Sequence, residues 1–222
     1  MVIRKVRYFE KPGSANIAAS VEAVRDYLES GGEAAAVIVA SMSGKTALKV
    51  KDGLGDSSIP VICVAGPPCW WSCYPVSGDN KPISAEMRSA LDNAGIAVVS
   101  SVPSSLTDTI ESSLARYGFR SPTLIFTETL LAVGGYGLKT ALECVLMATD
   151  GGYVEPFKDV ISIGGTGKGA DTAVVARSTF SPLVFSSNPE RRLVIKELLA
   201  VPKNKVFYKT VGYGELKIQE TE

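Results

Sequence analysis

Histidine is absent from the 222-residue sequence. Without an imidazole, the chain cannot build a Ser-His-Asp or Cys-His catalytic arrangement, and a zinc site with histidine ligands is excluded as well. Any acid–base chemistry would have to use Asp, Glu, Lys, Tyr or Cys side chains. We therefore expect no metal site, and the sequence leaves open whether the protein is an enzyme.

Cysteine is scarce, with four residues in the whole chain: Cys63, Cys69, Cys73 and Cys144. Four cysteines are too few for a disulfide framework in a chain of this length. Cys69 and Cys73 form a C-x3-C pair, but two ligands do not complete a tetrahedral zinc site. We expect free thiols, with a reactive pair as the alternative.

An excess of charge is also missing, because 23 basic residues balance 23 acidic ones. Bulk charge therefore provides no attraction to nucleic acid or to anionic membranes. No apolar run approaches the roughly 20 residues that span a bilayer, and the first residues lack the apolar region of a signal peptide. We expect a cytoplasmic protein with a single domain over 1–222, in which 201–222 form a C-terminal extension.

Apolar, β-branched runs alternate with helical patterns along the chain, which is typical of a parallel sheet covered by helices. The runs predict strands over 34–41, 60–66, 96–102, 159–165 and 172–178, with a further edge strand in the tail after 205. The periodic segments predict helices over 14–32, from 43 onward, over 84–95, within 112–135, and over 137–152 and 188–200.

The first candidate binding segment is "SMSGKTA", residues 41–47, which directly follows the apolar run "AAAVIVA". Amides in the first turn of a helix have no partners within the helix and can receive a phosphate. Gly44 lets a ligand approach the backbone, and Lys45 supplies a positive charge. Hydroxyl donors come from Ser41, Ser43 and Thr46. The alternative is an ordinary helix start with Ser43 as the N-cap.

The second candidate segment is "SIGGTGKGADTAVV", residues 162–175, which follows a predicted strand. It is not a Walker A loop, because Gly169 stands where Ser or Thr should follow Lys168. A dinucleotide-binding loop would require a helix next, whereas "TAVVARS" is strand-like. The segment predicts consecutive amides that bind an anion, or alternatively a tight glycine hairpin. Its candidate binding residues are Gly164, Gly165, Thr166, Gly167, Gly169, Asp171 and Thr172.

Four blocks of the sequence, "YFEKPGSAN", "VASMSGKTALKV", "GLKTALECVLMATDGG" and "VISIGGTGKGADTAVV", together resemble an uncharacterised prokaryotic family related to the C-terminal domain of pyruvate kinase. The resemblance covers nearly the whole chain. It implies a three-layer α/β/α sandwich around a mixed five-stranded sheet whose last strand is antiparallel. In pyruvate kinase the segment similar to "SMSGKTA" forms the phosphate pocket for a sugar-bisphosphate effector. Relatives are associated with flavin mononucleotide, which the resemblance suggests as the cofactor here.

One segment departs from these relatives, which usually carry a histidine-containing stretch after the second core strand. Here residues 66–82 contain Trp70 and Trp71 and four of the twelve prolines. Adjacent tryptophans are expected to pack against something. The alternatives are a bound ring, a neighbouring subunit, or the protein's own helix ends.

Several polar residues outside the two loops are further candidates. Asp171 follows the glycine turn and is expected to orient Lys168 or to bind a ligand hydroxyl. Glu143, with Lys139 four residues before it, is interpreted as structural rather than catalytic. The family-like blocks add two residues that would line the same cleft, Asn16 and Lys203. Glu10 is a further candidate carboxylate, which would act as a base if the protein is an enzyme.

Three functions remain open from the sequence. The first is a protein that binds a phosphorylated small molecule, with flavin mononucleotide as the expected ligand. The second is an enzyme that acts on a phosphorylated metabolite without flavin, and the third is a regulatory or assembly module. We also expect a homo-oligomer.

Overall fold

The computed structural model describes residues 3–68, 82–107 and 109–205. Within these residues, seven strands form one mixed sheet. The strands are β1 (Arg7–Phe9), β2 (Val37–Ala40), β3 (Val61–Val64), β4 (Ala97–Val99), β5 (Asp159–Gly164), β6 (Thr172–Arg177) and β7 (Val194–Pro202). Their spatial order is β1-β7-β6-β5-β2-β3-β4, and β6 is antiparallel to both of its neighbours, whereas all other pairs are parallel.

The helices in the described residues are α1 (Ile17–Glu29), α2 (Lys45–Gly53), α3 (Ala85–Asn93), the short α4 (Ile110–Ser113) and α5 (Pro122–Asp150). Two helix starts follow directly from the sequence. The hydroxyl of Ser84 accepts a hydrogen bond from the amide of Met87, and that of Ser121 accepts one from Leu124. Each hydroxyl satisfies an amide that has no partner within its helix, as an N-cap does.

Helices cover both faces of the sheet because successive strand residues point to opposite sides. On one face, Val37 and Val39 pack with residues of α1, α2 and α3. On the other face, Ile38 and Ile62 pack against α5. The strands buried on both faces therefore read as continuous apolar runs in the sequence, as expected for parallel strands.

Among the described residues the sheet has seven strands, two more than the five expected, and the antiparallel strand β6 has a neighbour on each side. One predicted element is wrong. The segment 188–200, predicted as a helix from its Leu, Lys, Glu and Ala content, instead forms a short 3-10 turn (Pro189–Arg191) followed by β7. Pairing decides the outcome, because β7 hydrogen-bonds to β6 on one side and to β1 on the other.

Helix α5 covers both the helix predicted at the end of 112–135 and the helix predicted over 137–152, and it is broken between them at Gly135, where φ is 77° and ψ is 175°. By length and composition it is the one helix in the described residues that would be able to cross a membrane, yet 67% of its most apolar window is buried inside the protein. Burial against the sheet accounts for its apolar character, since a helix covered on most sides is apolar on most sides.

Two predictions fall on parts of the chain that the structure does not describe. Of the tryptophan-containing segment 66–82, residues 69–81, with both tryptophans, Cys69 and Cys73, lie outside the described residues. The tail predicted as an edge strand falls on 206–222, also outside them. The predicted extension over 201–222 begins inside the sheet, because β7 continues to Pro202.

Candidate functional site

Two candidate loops leave the sheet side by side. Strands β2 and β5 are parallel neighbours, with Val39 opposite Ile163, so residues 41–46 and 165–171 follow at the same edge. The strand order reverses at this position, because β3 and β4 are added on one side of β2 and β5 on the other. Open α/β sheets bind ligands beyond the carboxyl ends of the strands at such a reversal. The fold therefore brings together the two segments that the sequence singled out.

The side chain of Ser41 accepts hydrogen bonds from backbone amides in the first turn of helix α2. Its Oγ accepts hydrogen bonds from the backbone amides of Thr46 (3.1 Å) and Ala47 (3.3 Å), and its side chain is buried. The N-cap of the helix is Gly44, and no side chain caps from that position, so the alternative of Ser43 as N-cap is wrong. A ligand at this helix start would have to use the remaining donors, or displace the Ser41 hydroxyl.

Gly44 is required by its own backbone and by helix α3. Its φ is 81°, in the left-handed region that favours glycine. A Cβ at this position would lie 2.8 Å from Cγ of Met87 and 2.9 Å from Cδ1 of Leu91. Packing against α3 therefore explains this glycine without a ligand.

The side chains after Gly44 differ in their access to solvent. Lys45 is exposed, and Ser43 and Thr46 are half-buried. On the neighbouring loop, Gly167 and Lys168 are exposed. Each loop thus presents a lysine to solvent, and the first loop also presents the half-buried hydroxyls of Ser43 and Thr46.

Asp171 holds the loop between β5 and β6 in shape. It is fully buried, and its Oδ2 accepts hydrogen bonds from the amides of Gly13 (2.9 Å) and Thr166 (3.0 Å). Its Oδ1 accepts one from the hydroxyl of Thr172 (3.0 Å). Both carboxylate oxygens are thus engaged inside the protein, and direct contact with a ligand stays a prediction.

Most glycines of this loop are explained by close packing. A Cβ on Gly164 would overlap the carbonyl oxygen of Gly137 in α5, and one on Gly165 would overlap the carbonyl oxygen of Gly169. A Cβ on Gly169 would lie 2.5 Å from Cα of Ser14. Gly167, at the loop tip, has a φ of 76°. The loop therefore packs closely against α5 on one side and against the segment that leads into α1 on the other.

Asn16, Lys203 and Glu10 each contact other residues of the protein. The side-chain Nδ2 of Asn16 donates to the carbonyl oxygen of Lys11 (2.7 Å). Lys203 and Glu10, both exposed, form an ion pair with 2.6 Å between Nζ and Oε1. This pair joins the ends of the neighbouring strands β7 and β1. A ligand-binding role for these residues stays a prediction.

The break in α5 creates a cleft that the sequence analysis found only in part. Two of its polar residues, Thr166 and Thr172, were predicted as binding residues. The cleft is also lined by residues that were not predicted: Gly135, Gly137, Asn204 and Lys205. The signal in the sequence was "GGYG" inside an otherwise apolar helical segment, because adjacent glycines mark the point where a helix kinks.

Glu143 belongs to a buried polar cluster, in which it pairs with Lys139 as the sequence suggested. It is 4% exposed, Lys139 is 6% exposed, and Nζ of Lys139 lies 2.7 Å from Oε2. The other oxygen accepts hydrogen bonds from the hydroxyls of Ser104 and Thr107. These contacts tie the segment after β4 to α5, and the carboxylate has a charged partner and hydroxyl donors, as a buried charge requires.

The two cysteines in the described residues are buried free thiols. Burial raises the pKa of Cys63 to about 12, opposed by a hydrogen bond to the carbonyl oxygen of Ser41. Burial also raises the pKa of Cys144. Neither thiol is therefore a nucleophile at neutral pH, because the reactive species is the thiolate.

The carboxyl edge of the sheet thus combines hydroxyls, helix-start amides and lysines. Such a set is suited to bind a negatively charged group, because each member donates hydrogen bonds or carries positive charge. The one buried carboxylate among them, Asp171, is already satisfied by internal donors. No protein-family model matches the sequence.

Proposed function

We propose that the protein binds a phosphorylated small molecule in the crevice between residues 41–46 and 165–171. The observation that supports this proposal is the position of the two loops, which lie next to each other where the strand order reverses. Each loop carries a lysine and donor groups. The phosphate is held by the Ser43 hydroxyl and the Lys45 ammonium, with Thr46 beside them.

We propose flavin mononucleotide as the ligand, with catalysis left open. The resemblance to relatives associated with this flavin supports the choice, together with donor groups suited to a phosphate. Protein purified without added flavin is expected to absorb between 350 and 500 nm, or to quench flavin fluorescence when titrated. Riboflavin, which lacks the phosphate, serves as the matched ligand and is expected to bind more weakly.

A pair of substitutions tests the loop directly. Lys45→Ala combined with Thr46→Val should weaken binding of flavin mononucleotide by about one to a few kcal/mol, because charge-assisted hydrogen bonds are lost. Lys49→Ala removes another exposed lysine one helical turn later and should leave the affinity unchanged. Equal affinities for flavin mononucleotide and riboflavin in the wild-type protein would show that the phosphate contributes nothing to binding.

We also propose that the fold is related to the C-terminal domain of pyruvate kinase, with a three-layer α/β/α core. Strands β2 to β6 support this, because they alone make a five-stranded unit in the order β6-β5-β2-β3-β4 with an antiparallel β6. In this proposal β1 and β7 are additions on the β6 side. A cytoplasmic location and a homo-oligomer remain proposals of the same kind.

A further inference from the structure

We propose that residues 206–222 pack across an uncovered apolar face of the sheet, on the part formed by β7 and β1. This surface, the β7–β1 face, is defined by Tyr8, Ile195 and Leu198 and lies on the side of α5. It is separate from the crevice described above, which lies beyond the ends of β2 and β5. The proposal therefore does not depend on any ligand in that crevice.

The strand register places two apolar side chains of β7 on the side of α5. Ile195 pairs with Ala176 of β6, and Leu198 pairs with Val174. Both β6 residues belong to the buried cluster that packs against α5. Residues directly opposite each other on neighbouring strands share a face. Ile195 and Leu198 therefore project from the α5 side of the sheet.

Tyr8 of β1 projects from the same side. Its neighbour Arg7 forms ion pairs with Glu22 (2.6 Å) and Asp26 (2.7 Å) of α1, which covers the opposite face. Phe9, the next residue of the strand, also packs with the cluster on that opposite face. Because successive strand residues alternate between faces, Tyr8 points to the α5 side.

Helix α5 leaves this part of the sheet largely open. Its main contacts are with β2, β3, β5 and β6, whereas β7 and β1 pack against α1 on the other face. Tyr8 is 57% exposed, and Ile195 and Leu198 are each 37% exposed. A sheet face that stays in water usually carries polar residues, so three large apolar side chains on this face indicate that something covers it.

The described chain leads to this face. Strand β7 ends at Pro202, and the stem of Lys205 lies over Gly135 of α5, since a Cβ on that glycine would be 3.2 Å from Cδ of Lys205. The described residues therefore end on the α5 side, close to Tyr8, which pairs with Val201. Seventeen residues follow. Fully extended, they would reach about 56 Å, almost twice the roughly 30 Å length of β7.

The composition of 206–222 suits an apolar surface. The segment contains four aliphatic residues and three aromatic ones, Phe207, Tyr208 and Tyr213. Packing it over the β7–β1 face removes apolar area of both from water. The covalent connection favours this segment over a second copy of the chain, because a short tether gives an effective concentration on the order of millimolar.

Limited digestion of the full chain with trypsin tests the contact, with cleavage after Lys209 measured by mass spectrometry. A synthetic peptide of residues 203–222 gives the cleavage rate of the unprotected segment. We expect the full chain to be cleaved at least about tenfold more slowly, because burial of one large apolar side chain stabilises the packed form by that factor or more. A rate equal to that of the peptide would overturn the proposal.

Substitutions on the face test whether it is the surface that the segment covers. Ile195→Thr combined with Leu198→Thr keeps residues that favour a strand, and it should raise the cleavage rate roughly tenfold. Ile110→Thr is the matched control, because Ile110 is also exposed (88%) but lies in α4 rather than on this face. It should leave the rate unchanged. A wild-type rate in the face variant would overturn the proposal.

A reciprocal variant avoids any effect of the face substitutions on the sheet itself. Phe207→Ser combined with Tyr213→Ser changes only the segment and should also raise the cleavage rate roughly tenfold. In this background the face substitutions should add little, since the contact is already lost. Independent, multiplicative effects of the two sets would contradict a direct contact.

The dependence of the cleavage rate on protein concentration distinguishes the chain's own segment from that of a second copy. A contact within one chain gives the same rate over a roughly hundredfold range of concentration. Protection that disappears on dilution would assign the face to a second copy and overturn the proposal.

Discussion

The carboxylate of Asp171 accepts a hydrogen bond from the amide of Gly13, which lies 158 residues earlier in the chain. This contact joins the loop before β6 to the segment between β1 and α1. The same oxygen also accepts from the amide of Thr166 within its own loop. One buried carboxylate thus fixes the relative position of two segments at the carboxyl edge of the sheet.

We expect Asp171→Asn to lower the free energy of unfolding by about 1–3 kcal/mol, because hydrogen bonds to a charged acceptor are replaced by neutral ones. Asp171→Ala should lower it further, since it leaves two amides without their acceptor. Urea denaturation measures both values. Wild-type stability in both variants would show that the carboxylate is dispensable for the loop.

Ser41→Ala should destabilise the protein by about 1 kcal/mol, as loss of a helix cap does, because the amides of Thr46 and Ala47 lose their acceptor. The same substitution opens those amides to a ligand. We therefore expect affinity for flavin mononucleotide to stay the same or to rise. Ser43→Ala is the matched control and should have a smaller effect on stability, because Ser43 does not cap the helix.

The ion pair between Lys139 and Glu143 should show strong coupling. Removing either partner alone, by Lys139→Met or Glu143→Leu, leaves a buried charge unpaired and should cost about 3–5 kcal/mol. The double variant should be much less destabilised than the sum of the two. A double-mutant cycle by urea denaturation measures this difference, and additive effects would contradict the pairing.

Buried thiols predict a loss of stability at alkaline pH. The pKa of Cys63 is about 12 in the folded protein, against 9.0 for an ordinary thiol, so between these values the unfolded chain releases a proton that the folded protein keeps. Stability then falls as the pH rises, by about 1.36 kcal/mol per pH unit for each such thiol.

The measurement is the free energy of unfolding between pH 8.5 and about 10.5 in wild-type protein and in Cys63→Ala. The variant should show a shallower decline, with the remaining slope coming partly from Cys144, whose pKa is also raised. Its absolute stability is not the readout, because the smaller side chain also leaves a cavity. Equal slopes would mean that Cys63 ionises freely in the folded protein.

Local sequence signals predicted most of the sheet. The strands β2, β3, β5 and β6 stand out as short apolar runs because they are buried on both faces. Strand β7 was predicted as a helix, because its composition favours a helix and only its two neighbouring strands decide otherwise.

The sequence likewise predicted some features of the candidate site and missed others. The sequence singled out residues 41–46 and 162–175 because hydroxyls, lysines and glycines cluster after apolar runs. It was unable to show that Ser41 would occupy the first amides of α2, since that depends on a side chain folding back over the turn. Lys205 was not singled out, although Lys203 was, because its neighbours in the cleft come from α5 and the loop before β6, which are distant in the sequence.

The sequence by itself determined an α/β chain with two segments rich in donor groups, because apolar periodicity and glycine placement act over a few residues. Only the tertiary structure decided which strands neighbour each other, which amides are already occupied, and that Gly135 breaks α5 beside Thr166. These features depend on contacts between residues far apart in the chain, whose energies are not encoded in any local pattern.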